Sequence, residues 1–219
     1  MRTNTKNKNL IPVIEELHRA FDCLNKAFYN NELPPVIITI QSKGKRNALG
    51  WFTVGKVWDD GTQEMHEINI SAEYANRNFM DIMKTLHHEM IHLYCAVNEI
   101  KDCSRSGTYH NTKFKIASEQ HGFYYGEDAY DKKLGWTFSK LKPETIEIIK
   151  GFGLNEDVFI LKRYDFTANG EGEKKKSNII KWECGCGNII RTSKDGLRVL
   201  CLDCETMFMK SEDFSDDEE

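Results

Sequence analysis

One segment near the middle of the chain constrains its fold more than any other. Residues 78–98 carry apolar side chains at helical spacing, and within them positions 88–92 read His-Glu-Met-Ile-His. Side chains four positions apart on a helix differ by about 40° in direction and about 6 Å in height, so His88 and His92 can reach one metal ion. Glu89 points about 100° away from His88, so it can reach a water molecule at that metal rather than the metal itself.

This pattern predicts a catalytic zinc site, with His88 and His92 as ligands and Glu89 as the general base. Catalytic zinc keeps three protein ligands and one open position, and it activates water for attack on a carbonyl group. The alternative is an ordinary exposed helix face, because such a pattern arises by chance in roughly one chain in a hundred of this length. His87 has Ile91 four positions later, so we expect a packed or hydrogen-bonded histidine there.

A third zinc ligand must come from downstream, where His110, Glu119 and His121 are the candidates. His110 begins a predicted helix over 110–120 and follows a polar loop over 99–109 that can turn the chain back. His121 would lie about 16 Å along that helix from His110, so both cannot bind one ion. These patterns favour His110, keep Glu119 open as an alternative, and place His121 near the negative end of its helix dipole.

Two close pairs of cysteines near the C-terminus, Cys184 with Cys186 and Cys201 with Cys204, predict a second metal site. In a chain without a secretion signal such pairs favour metal over disulfides, and four thiolates suit the structural zinc of a zinc ribbon. The first pair has one intervening residue, whereas the usual ribbon has two. A redox-sensitive thiol cluster or two disulfides is the alternative. The predicted cofactors are therefore two zinc ions, one catalytic and one structural.

The remaining patterns predict an α+β fold, in which helices pack on a small, mostly antiparallel sheet. Helical spacing is found over 12–29, 78–98, 110–120 and 144–150, and strand patterns over 36–40, 49–54, 67–71 and 158–161. The predicted divisions are a metal-binding domain at 10–165, a flexible linker at 166–178, a zinc ribbon at 179–210 and an acidic disordered tail at 211–219.

Charge and hydropathy limit the classes of protein to which the chain can belong. The formal net charge is −4, but the last nine residues hold six acidic side chains and no basic one, so the rest is close to neutral. A strong basic footprint for nucleic acid is therefore absent, which leaves only local basic patches. The chain has no apolar run of about 18 residues and no signal-peptide core, so we expect a cytoplasmic protein without a membrane span.

Six short motifs occur in order along the first part of the chain. They are Asn-Glu-Leu-Pro at 31–34, Ala-Leu-Gly-Trp-Phe at 48–52, Glu-Ile-Asn-Ile-Ser at 67–71, Leu-His-His-Glu-Met-Ile-His-Leu at 86–93, Lys-Asp-Cys-Ser at 101–104 and Tyr-His-Asn-Thr-Lys-Phe at 109–114. Over about residues 10–140 the chain thus resembles the SprT-like metallopeptidase family, which includes Spartan. The resemblance implies a minimal zincin fold, with His110 as the third ligand. It is closest to the short bacterial or phage type, because the partner-recruiting motifs of long eukaryotic members are not evident.

Together these features predict a zinc-dependent endopeptidase. Spartan-type members cleave proteins crosslinked to DNA, so the resemblance implies substrates that are DNA-associated or DNA-crosslinked proteins. A substrate would add as an extended strand at a sheet edge, for which 67–71 is the candidate. Tyr109, Lys113 and Tyr124 are candidates for stabilising the oxyanion, and no spacing selects one of them.

Nucleic acid would bind through the ribbon and the linker. Phosphate contacts could come from basic side chains at Lys174, Lys175, Lys176, Lys181, Arg191, Lys194 and Arg198. Trp182 or Phe208 could stack on bases, and the alternative is a solvated face over a small core. Two other functions stay open: a nucleic-acid-binding adaptor with a zincin scaffold, which the retained Glu89 disfavours, and a metal hydrolase of a non-peptide bond. Nothing in the sequence indicates the oligomeric state.

Overall fold

The structure, a computed structural model, describes residues 9–42, 48–105, 107–164 and 179–210. The chain divides into two compact units, Met1–Asp165 and Phe166–Glu219. The predicted linker at 166–178, with its three lysines, and the predicted acidic tail at 211–219 fall outside the described residues. In the parts of the chain that are described, no helix combines the length and the apolar character needed to cross a membrane.

The first unit begins with helix α1, Ile11–Phe28, which packs on the core through one apolar stripe. Proline stands at the start of the helix, where its missing N–H leaves no intrahelical hydrogen bond unmade. Val13, Leu17, Ala20 and Leu24 are all buried, and their spacing of three or four positions places them on one face. The helical prediction for this segment is thus confirmed to within one residue at each end.

Three strands follow and form the main sheet: β1 (Val36–Gln41), β2 (Gly50–Asp59) and β3 (Glu64–Ser71). Their order is β1-β3-β2, so β3 lies between the other two. β3 runs antiparallel to β2 but parallel to β1. The prediction of a mostly antiparallel sheet was therefore wrong for this sheet, because residue alternation identifies strands and does not determine which strands pair.

Helix α2, Phe79–Val97, packs against this sheet and carries the His-Glu-Met-Ile-His segment. The side chain of Asn78 caps its N-terminus by accepting a hydrogen bond from the backbone N–H two residues later. Leu86 on the helix and Ile68 and Ile70 on β3 belong to one core and are almost fully buried. Burying each such side chain is worth about 1.5–3 kcal/mol, so the apolar face determines which way the histidines point.

Short elements complete the first unit after α2. They are β4 (Cys103–Ser104), β5 (Tyr109–His110), α3 (Thr112–Gln120), β6 (Phe123–Tyr124), β7 (Tyr130–Asp131), β8 (Gly135–Trp136), β9 (Lys140–Leu141) and α4 (Pro143–Lys150). Strands β4-β5-β8-β7 form one small sheet, and β6 pairs with β9. The predicted helix over 110–120 begins two residues later than expected, because Asn111 is its N-cap.

The strand predicted at 158–161 was wrong. Glu156–Val158 forms one 3₁₀ turn, and the chain turns again immediately after it. Phe159 is buried against Phe79, with ring centroids 5.8 Å apart, whereas Ile160 is 52% exposed. The apolar run therefore supplies a single anchor to the core, and no neighbouring strand pairs with it among the described residues.

The second unit contains a small antiparallel sheet of β10 (Ile180–Glu183), β11 (Ile189–Thr192) and β12 (Met209–Lys210), in the order β11-β10-β12. Trp182 and Phe208 are buried in its core beside two cysteines. The prediction that these two rings could stack on bases was therefore wrong, because both serve as core residues. A core this small needs a further stabilising element such as a metal ion.

Candidate metal centres and active site

Three histidine rings meet beside the middle of α2. The ring centroids of His88 and His92 are 5.0 Å apart, and each is 5.1 Å from the ring of His110 on β5. The Nε2 atoms of His92 and His110 are separated by 3.2 Å, and one ring nitrogen from each histidine lies within 4.8 Å of the other two. Two nitrogens bound at about 2.0–2.1 Å to a tetrahedral zinc ion would be about 3.3 Å apart. The three rings therefore fit a zinc ion.

The environment of His88 and His110 favours the neutral imidazole, which is the form that binds metal. Phe114 on α3 is fully buried and lies 4.4 to 4.9 Å from all three rings. Burial, and then the neighbouring His92, lower the pKa of His88 well below its usual value. Burial, and again His92, lower the pKa of His110 to about 4.

Glu89 lies on the side of the site that faces the sheet. It is 6% exposed, and its carboxylate accepts a hydrogen bond from the backbone N–H of Phe52 on β2. Gly50 allows this close packing, because an added Cβ would lie 2.9 Å from the Thr85 methyl group and 2.7 Å from the carbonyl oxygen of Asn69. Burial raises the pKa of Glu89 to about 7, and the hydrogen bond acts in the opposite direction. A carboxyl group with this pKa can both take and return a proton near neutral pH.

The free edge of the main sheet next to Glu89 is β2. β3 pairs with one side of β2, and no strand in the described part of the chain pairs with the other. Backbone groups alternate along an antiparallel strand, and the N–H of Phe52 points to Glu89, away from β3. The prediction that 67–71 forms the substrate-binding edge was wrong, because these residues belong to β3, which is paired on both sides.

The other candidate ligands do not join the three histidines. His121 donates from Nδ1 to the carbonyl oxygen of Ala117 at 2.7 Å, so it ends α3 as expected for a helix C-terminal histidine. Glu119 lies 3.6 Å from the ammonium group of Lys115 on the same helix. The structure thus places His110, and neither of these two, beside His88 and His92.

His87 is a core residue, as predicted. It is fully buried, and its ring packs 4.8 Å from Phe28 and 4.9 Å from Phe123. Burial lowers its pKa to about 3, so it stays neutral. Its position one residue before His88 turns it about 100° around α2, away from the cluster of three histidines.

Asp102 is the residue of this site that sequence reasoning missed. Its Oδ2 lies 2.5 Å from Nδ1 of His92, which is the ring nitrogen directed away from His110. The signal was present in the Lys-Asp-Cys-Ser motif at 101–104, but no spacing rule connects an aspartate in a loop with a histidine on the preceding helix.

Gly135 on β8 supports His110 through a close backbone contact. It has a φ of +72°, and a Cβ added there would lie 2.0 Å from the carbonyl oxygen of His110.

Gly135→Ala is therefore expected to displace the third histidine, weaken zinc binding and lower the free energy of unfolding by about 1–3 kcal/mol. Chelator competition and thermal unfolding measure the two effects. Gly126→Ala is the matched control, because an added Cβ there meets no atom within 4 Å. Equal behaviour of the two variants would contradict this role.

The four C-terminal cysteines also converge. Their sulfur atoms all lie within 4.8 Å of one another, with 3.3 Å between Cys184 and Cys186 and 3.8 Å between Cys186 and Cys201. Two sulfurs bound at about 2.3 Å to a tetrahedral zinc ion would be about 3.8 Å apart. The amide of Asn188 donates to the sulfurs of Cys186 and Cys201 at 3.5 Å, as suits thiolate ligands. The cluster is therefore compatible with a zinc ribbon, including its one-residue first spacing.

Comparison with known proteins identifies the family. The model of the SprT-like family matches residues 17–131, which is more than half of the chain. This chain belongs to the SprT-like family. The match includes the three histidines and Glu89, and it ends before the cysteine cluster. A search of curated proteins finds no match. The SprT-like family is associated with metallopeptidase-like activity, and the histidine and cysteine clusters of this member could each bind a metal ion.

Proposed function

We propose that this SprT-like protein is a zinc-dependent endopeptidase, with His88, His92 and His110 as metal ligands and Glu89 as the general base. The proposal rests on one observation. A ring nitrogen from each of the three histidines converges beside the buried carboxyl group of Glu89, which lies on α2 next to His88. A zinc ion held there supplies Lewis-acid chemistry, which polarises a carbonyl group and lowers the pKa of water. Glu89 then accepts the proton of the attacking water and returns it to the leaving amine.

The β2 edge supports a polypeptide as the substrate. Backbone groups on the free side of β2 can pair with an extended chain, and this pairing requires no particular side chain. Val54 and Val57 on the same strand are 73% and 57% exposed, so apolar surface is available beside the backbone groups. Such an edge suits unfolded or extended segments of many different proteins.

The second unit supports a nucleic-acid partner. Lys181 on β10 lies directly opposite Arg191 on β11, so both side chains are on one face of the small sheet, and Lys194 and Arg198 are exposed nearby in sequence. Basic side chains of this kind bind phosphates without regard to sequence. We therefore extend the proposal to substrates that are DNA-associated or DNA-crosslinked proteins, which the unit would bring to the active site. The three linker lysines that were predicted to contribute are outside the described residues.

A DNA–protein crosslink tests this proposal directly. One protein is presented in two forms, crosslinked to single-stranded DNA and free, to wild-type enzyme and to Glu89→Gln. We expect wild type to cleave the crosslinked protein faster than the free one, and the variant to cleave neither. Equal cleavage of both forms would remove the DNA part of the proposal. No cleavage by wild type, with DNA binding retained, would support the adaptor instead.

A further inference from the structure

Of the three histidines, His92 is the one that contacts a carboxylate in the described structure. The contact is made by its Nδ1, the ring nitrogen that does not face His110. A carboxylate can only accept, so Nδ1 of His92 donates to Oδ2 of Asp102 over 2.5 Å. This contact is well shielded, because the two side chains are 13% and 18% exposed. By contrast, Nδ1 of His110 is buried and contacts no carboxylate within the described residues. With its proton on Nδ1, His92 presents the lone pair of Nε2 toward His110.

Asn111 holds the segment that carries Asp102. Its backbone N–H donates to the carbonyl oxygen of Asp102 at 3.0 Å, and its side-chain amide donates to the carbonyl oxygen of Lys101 at 2.8 Å. The next residue of the segment, Cys103, pairs with His110 across β4 and β5. One asparagine therefore connects the carboxylate behind His92 with the strand that carries His110.

We propose that Asp102 is the positioning residue of the histidine site and that Asn111 fixes its place. Asp102 keeps the ring of His92 in one tautomer and one orientation, so that Nε2 faces the shared point between the rings. Such partners behind a ligand typically change metal affinity by about 10- to 100-fold when they are replaced. The inference rests on the proposed function because it takes the three histidines as the metal ligands.

The test measures metal affinity in the full chain, without relying on proteolysis. Zinc dissociation constants are obtained by competition with a chromophoric chelator. Cobalt substitution separates the two sites, because only the cysteine site gives thiolate-to-metal charge-transfer absorption. Asp102→Asn is expected to raise the dissociation constant of the histidine site by about 10- to 100-fold, and Asp102→Ala by at least as much. Both variants should also alter the cobalt spectrum of that site.

Asn111→Ser tests the second half of the proposal. Serine is a good N-cap, so it keeps the cap of α3 while it removes the amide that reaches Lys101. We expect a smaller rise of the dissociation constant in the same direction. Asp22→Asn, the same chemical change at an exposed position on α1, is the control and should stay within about twofold of wild type.

Three outcomes overturn different statements. If Asp102→Ala binds zinc and cobalt at the histidine site as wild type does, Asp102 is not a positioning residue, although the proposed function stands. If wild type itself holds only the thiolate-bound ion, the histidine site is not a metal site, and the proposed function fails as well. Wild-type affinity in Asn111→Ser, with weakened binding in Asp102→Ala, would overturn the role of Asn111 alone.

Discussion

Glu89→Gln is expected to retain both metal ions and to lower kcat/KM for an unfolded protein substrate by about 10²- to 10⁴-fold. Glutamine has nearly the same shape, and its carbonyl oxygen can still accept the hydrogen bond from Phe52. It cannot take a proton, however, so the attacking water loses its base while the fold is retained. Initial cleavage rates of a fluorescently labelled unfolded protein, with zinc content determined on the same samples, measure the effect.

A matched control for Glu89→Gln is available on β3. Glu67 is 8% exposed and accepts a hydrogen bond from Trp58, but it alternates with Ile68 and so lies on the opposite face of β3 from α2. Glu67→Gln makes the same chemical change in a buried carboxylate and should keep its activity within a few-fold of wild type. Retention of more than about a tenth of the activity by Glu89→Gln would contradict its role as the general base.

The local part of the site could be predicted from the sequence because it lies within two turns of one helix. The spacing of His88, Glu89 and His92 fixes their relative directions as soon as α2 forms. The same helical geometry predicted that His87 lies outside the site, and the full burial of His87 agrees with this prediction. His110 was harder to choose, because its position depends on the loop that follows α2. Spacing favoured His110 but left Glu119 open, and only the resemblance to a family selected His110 as the third ligand.

Pairing between distant segments could not be predicted in the same way. The strand patterns of β1, β2 and β3 were recognised from the sequence. Their order in the sheet was not, because residue alternation does not show which strand lies between the other two. The substrate edge was therefore assigned to the central strand instead of β2. A loop over 99–109 was predicted, but its path was not, because the turn at Glu99 uses a left-handed φ of 56° that is unusual for glutamate. This turn leads into the segment of Asp102, so the carboxylate behind His92 could not be anticipated.

If the four cysteines bind a structural metal ion, its loss is expected to unfold residues 179–210. The described part of the second unit, residues 179–210, buries four side chains in its core, two of which are the proposed ligands Cys184 and Cys201. Structural zinc in comparable peptides contributes an apparent binding free energy of about 10–16 kcal/mol, far more than two buried aromatic rings can supply. Cys201→Ser should therefore abolish protection from hydrogen exchange throughout β10 to β12, as measured by mass spectrometry.

The same variant separates the two units. Among the described residues, the core of the first unit shares no member with the core of the second, so the amides of the first unit should exchange as in wild type. Cys23→Ser, on α1, is the matched control, since Cys23 lies in none of the candidate metal clusters. Persistent protection of β10 to β12 in Cys201→Ser would contradict a structural metal. The small sheet would then have to be stable through its apolar contacts alone, which a module of about 30 residues rarely achieves.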